Sequence, residues 1–158
     1  YLVAGCISGV MLYRALRHLF PANTEALEEL GITPEPTTLL LFGAYFSLVN
    51  PFFEELFWRG FLSLVLGSSE RDLLQAAAAY AFYHGLVLGA IGIDPALIVV
   101  CVCGLVVAGR VLSFLYRTTG LMSAILAHMA ADVVIIMALY DWYYAWLERR
   151  RVLEGLMV

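Results

Sequence analysis

Seven charged or imidazole side chains in this sequence fall inside apolar stretches, and all but Arg110 lie in three short groups. These are Glu54-Glu55-Leu56-Phe57-Trp58-Arg59, Tyr80-Ala81-Phe82-Tyr83-His84 and His128-Met129-Ala130-Ala131-Asp132. On a helix, residues four apart share a face, so Glu55 can pair with Arg59, Tyr80 can meet His84, and His128 can meet Asp132. Glu54 lies about 100° round from Glu55 and points elsewhere. Two adjacent carboxylates with one cation leave a surplus negative charge. Apolar surroundings raise the proton affinity of such a group, which is how a general base near neutrality is made. An imidazole nearby would complete such acid–base chemistry.

Each group also has a purely structural reading. Glu55 and Arg59 suit an interfacial salt bridge, but Phe52, Phe53, Leu56, Phe57, Trp58, Phe61 and Leu62 surround them with apolar bulk. His84 alone would read as a satisfied core histidine. Ala76, Ala77, Ala81, Gly85 and Gly89 around it let a second helix approach closely, so His84 faces protein rather than lipid. Asp132 could simply orient His128 for structure. Two His, two Glu and one Asp are also a chemically possible metal set, but the spacing lacks HExxH and no metal is assigned.

The elements that must hold these groups are membrane helices. The chain has 158 residues, of which 63% are apolar and 14% charged. Mean hydropathy is +0.88. Soluble domains average about 45–50% apolar and about 25% charged. Three cysteines exclude a disulfide scaffold, and a net charge of −4 argues against nucleic-acid binding. All nine basic residues are Arg, so lysine Schiff-base chemistry is excluded. The apolar runs are continuous, without the alternation of barrel strands. The fold class is therefore all-α, a polytopic membrane helical bundle.

Five hydrophobic segments are predicted, at about 1–20, 37–66, 71–92, 95–116 and 121–147, in one transmembrane helical domain over 1–158. The first opens inside an apolar run without Met, which reads as a truncated N-terminus, and 23–30 suits a short surface helix. Asn50-Pro51 predicts a kink. Ser69 or Asp72 can cap the third segment, and Asp94-Pro95 the fourth. Arg117-Thr118-Thr119-Gly120 reads as a turn. Trp142, Tyr143, Tyr144 and Trp146, ahead of Arg149-Arg150-Arg151, suit an interfacial anchor. Arg110 can snorkel or pair with a carboxylate, His18 is interfacial, and Cys6, Cys101 and Cys103 read as core cysteines.

The ordered trio of motifs, Glu54-Glu55…Arg59, Tyr80…His84 and His128…Asp132, resembles the CPBP family. These are the CAAX protease and bacteriocin-processing (Abi) membrane proteins related to type II CAAX prenyl endopeptidases. The run YRTTGLMSAILAHMAAD is similar to that family's approach to its third motif, and the match spans about 52–134. The resemblance implies a metal-independent glutamic intramembrane endopeptidase without a cofactor. By position, Glu54 and His84 would activate water, His128 and Asp132 would stabilise the oxyanion, and Glu55 and Arg59 would support the site. Two residues depart from the pattern: Tyr80 replaces the usual Phe, and Asp132 the common Asn.

The implied partners are a peptide or lipidated protein substrate and the lipid bilayer, with no nucleic acid and no oligomeric state assigned. The implied location is a prokaryotic cell membrane, with multiple passes. A non-proteolytic scaffold or bacteriocin-immunity-type partner is the alternative. A proton-coupled transporter would show paired halves, and no repeat is visible. The motifs lie toward the side bearing Arg71 and Arg117, which the resemblance makes cytoplasmic. Counting loop arginines favours the reverse, because Arg14, Arg17 and Arg149 to Arg151 share the other face.

Overall fold

In the computed structural model of the chain, the described residues are 35–67 and 69–156, with Val10, Arg14, Glu28, Glu29 and 31–33. The expected segment at 1–20 and the surface helix at 23–30 lie almost wholly outside them. The other four expected segments are helices long and apolar enough to cross a membrane. Helix α1 covers Pro36–Leu66, α2 Glu70–Ala90, α3 Pro95–Thr119 and α4 Leu121–Leu156.

Each helix start is written locally. Glu35 caps α1, accepting the Thr38 backbone N–H at 2.8 Å, and Pro36 takes the first turn, where its fixed φ suits a helix. Ser69 and Asp72 form a reciprocal capping box on α2. Asp94 accepts from the N–H groups of Ala96 and Leu97, with Pro95 opening α3. Short connections then place successive helices side by side, and α2 packs most extensively on α3.

Two helix ends differ from the sequence expectation. Helix α3 continues to Thr119, because the hydroxyls of Thr118 and Thr119 bond back to the carbonyls of Phe114 and Leu115 at 2.8 Å. The turn is Gly120 alone, at φ 93°. Helix α4 runs nine residues past 147, carrying the Arg run inside it. Its Leu, Glu and Arg residues are good helix formers, and no Gly intervenes before Gly155. At about 1.5 Å per residue it is about 54 Å long, against about 30 Å of hydrocarbon.

Helix α1 is the least regular and the most informative. Around Asn50-Pro51 it winds through two π-helical stretches, Tyr45–Val49 and Leu56–Phe61, on either side of the α-helical segment Asn50–Glu55. The first relieves the crowding that a proline imposes on the preceding turn. Its buried residues are Leu39, Gly43, Ser47, Pro51, Glu55 and Arg59, one in every four. A pure α-helix would rotate that series by about 40° per step and about 200° from end to end. The π stretches hold more residues per turn and cancel the drift. One buried stripe results, with Glu55 and Arg59 at its deep end. Outward residues such as Leu64, Phe82 and Val99 are exposed and apolar, as a lipid-facing surface requires.

Candidate active site

Glu55 lies at the centre, fully buried. Its Oε1 accepts from Arg59 Nη1 at 2.7 Å and from His128 Nδ1 at 2.8 Å. The second arm of the Arg59 guanidinium donates to the Gly109 carbonyl at 3.2 Å, and its carbon sits 4.7 Å above the Tyr80 ring centroid. One cation thus touches α1, α2 and α3, and its carboxylate partner reaches α4. Glycine suits position 109, where a Cβ would sit tightly against Ala77 Cβ at 3.1 Å and Ala77 Cα at 3.2 Å. That close approach of α2 and α3 brings the carbonyl within reach of Arg59. Buried charges persist only when paired and hydrogen-bonded, and this pair is both.

Glu54 points away from that network. Asn50 Nδ2 donates to its Oε1 at 2.9 Å. Its Oε2 faces His84 Nε2 at 3.7 Å and His128 Nε2 at 4.0 Å. Both imidazoles are turned the same way. His84 Nδ1 donates to the Tyr80 carbonyl at 2.9 Å, and His128 Nδ1 donates to Glu55. Those acceptors hold no proton to give, so Nδ1 carries the hydrogen in both rings and Nε2 faces Glu54. The Tyr80 ring packs on His84 at 4.3 Å between centroids, and Trp58 meets Tyr80 edge-on at 5.7 Å. Asp132 is buried, its Oδ1 3.7 Å from His128 Nε2. Glu54 Oε2, Glu55 Oε2 and Asp132 Oδ2 are buried without a protein hydrogen-bond partner.

All six residues singled out by sequence, Glu54, Glu55, Arg59, His84, His128 and Asp132, therefore converge on one cluster, and the Glu55–Arg59 pair forms as the spacing predicts. One expectation changes. The carboxylate that orients His128 is Glu55, 73 positions away, rather than Asp132 one turn along the same helix. Helical spacing ranks only neighbours on one helix, so this contact left no local signal. Asn50 was read only as part of a proline kink, although its position one turn before Glu54 was a usable signal. Gly109 carried none.

Arg110 pairs with Glu70, which also binds Arg117 at 3.1 Å, on an exposed surface of α2 and α3. Cys101 is half-buried and Cys103 exposed, so Cys103 is not the core cysteine expected of it, and Cys6 and His18 lie outside the described residues. Among the described residues no group of three His, Cys, Asp or Glu side chains is arranged to hold a metal ion.

The family described as Rce1-like, type II CAAX prenyl endopeptidase, matches residues 36–134, well over half the chain. The chain belongs to this family. The matched stretch of the Rce1-like protein takes in α1 to α3 and the start of α4, and with them every residue of the cluster. Membership makes the protein an integral membrane protein of a CAAX protease family. No curated protein and no solved structure gives a significant match.

Proposed function

We propose that the cluster hydrolyses a peptide bond of a lipidated or membrane-associated peptide, using a water molecule activated by Glu54 and His84, without a metal ion. The observation that carries this reading is the meeting of Glu54 Oε2 with two Nε2 atoms at 3.7 and 4.0 Å. A carboxylate oxygen and the His84 Nε2 lone pair are both acceptors, and an imidazolium at His128 presents an Nε2–H donor. The three are too far apart for direct hydrogen bonds, so a water molecule is the natural group to lie among them.

In this reading Glu54 takes a proton from the water as its oxygen attacks the substrate carbonyl carbon. The electron pair of the C=O bond moves onto oxygen, where His128, protonated at Nε2, and neutral Asp132 donate to it. Glu54 then passes its proton to the amide nitrogen as the C–N bond breaks, releasing a new carboxyl group and an amine. Glu55 keeps His128 turned with Nε2 toward the reaction, and Arg59 keeps Glu55 in place. Burial of the whole set strengthens each of these contacts relative to water.

The test is cleavage of a quenched fluorescent peptide with a prenylated cysteine three residues from its C-terminus, in reconstituted membranes. Wild-type protein is expected to cleave it in the presence of a chelator, and Glu54→Gln is expected not to. Loss of cleavage on chelation, restored by added metal, would replace the glutamate reading with a metal one. The site is proposed to open on the side of Arg71 and Arg117, facing the cytoplasm. Labelling of cysteines placed at Ser69 and Thr118 from outside alone would reverse that orientation.

A further inference from the structure

We infer that Asn50 is a positioning residue, which fixes the rotation of the Glu54 carboxylate so that an oxygen is held toward the two imidazoles. The inference rests on Glu54 acting as the base, and adds a residue that neither the three motifs nor their spacing contains.

The terminal torsion of a glutamate is broad, so packing alone leaves the carboxylate plane free to rotate away from the imidazoles. Asn50 removes that freedom. Its amide donates to Oε1 at 2.9 Å, and only Oε2 is left to approach His84 and His128. The backbone supports this contact. Asn50 and Glu54 bound most of the α-helical segment Asn50–Glu55, which lies between two π stretches. Regular α winding is kept over the one turn in which a four-residue reach is needed.

The amide is not needed for backbone duty. The Asn50 N–H already bonds to the Tyr45 carbonyl in the π register. Asn is a poor helix former, and an amide in an apolar helix is costly unless paired, so its presence calls for a partner. The partner is Glu54.

The experiment compares kcat and KM for Asn50→Leu, Asn50→Gln and Glu54→Gln on the prenylated peptide, with unfolding midpoints measured alongside. Leu keeps the branched shape of Asn at Cγ without a donor, and Gln restores a donor. Asn50→Leu is expected to lower kcat by about 10- to 100-fold, the weight of a hydrogen bond to a charged group, with KM unchanged. Asn50→Gln is expected to recover most of that loss. Wild-type kcat in Asn50→Leu, or a loss carried by KM, overturns the inference while an inactive Glu54→Gln leaves the base assignment standing. An active Glu54→Gln overturns both. A fall in kcat that tracks a fall in unfolding midpoint, and that Gln fails to restore, assigns Asn50 to packing and overturns the inference alone.

Discussion

Two ion clusters tie this bundle together, and they use the same side-chain chemistry under opposite conditions. In the first, Glu55 bridges Arg59 and His128, with side chains at most 7% exposed. In the second, Glu70 bridges Arg110 and Arg117, with side chains from 35% to 73% exposed. Both join separate helices through one carboxylate. Water screens the second, whose members can be solvated when apart. The first has no such alternative, so losing one partner strands a charge in a dry interior. Burial, rather than the number of charges, separates a cluster that positions chemistry from one that decorates a surface.

The sharpest way to break the comparison is at Glu54, beside the buried cluster. Glu54→Gln keeps the size and removes the base, and peptide cleavage should fall by about 10²–10⁴-fold while the helical circular-dichroism signal is unchanged. Arg59→Ala should act on folding instead, at about 3–5 kcal/mol, seen as lower yield and an earlier unfolding midpoint in detergent. Asp132→Ala should lower kcat by about 10²–10³-fold, the weight of one oxyanion donor. Asp132→Asn should be well tolerated and stay active to higher pH, because an amide donates without needing a proton and Glu55 already orients His128. An inactive Asn variant would show that His128 needs the charge of Asp132.

Glu70→Gln, at the exposed cluster, should leave cleavage intact and shift the unfolding midpoint only slightly, and that shift should vanish at high salt. A smaller effect still is expected at Glu35. The Thr38 backbone N–H holds its carboxyl below the usual carboxylate range. Its ionised form is therefore favoured in the folded chain, so the cap's contribution is present above the unfolded-state value and fades as pH falls through the folded one. Wild type should be the more stable above that acid range, and its advantage over Glu35→Gln should disappear as pH falls through it.

Most of the scaffold was legible. Ser69, Asp94 and the apolar runs between them announced α2 and α3 because caps and hydropathy are local properties. The members of the cluster were legible for a related reason: ionisable groups in apolar helices stand out by cost alone. Their partners were harder to read. Helical spacing gave Glu55–Arg59 and suggested His128–Asp132, yet His128 donates its hydrogen bond to Glu55 across the bundle. The burial of Leu39 together with Arg59 was illegible, since a period of 3.6 sends residues 20 apart to opposite sides of a helix.

That fourfold spacing means the site is encoded partly by count. Removing one residue from the α-helical stretch Pro36–Ala44 would leave the hydropathy, charge and length of α1 nearly untouched. Everything downstream would nonetheless turn by about 100°, carrying Glu55 off His128 and Glu54 off His84. An insertion would do the same in the other direction. Helix α1 therefore behaves like a toothed part, in which gaining or losing a tooth disengages the mechanism even when every tooth is sound.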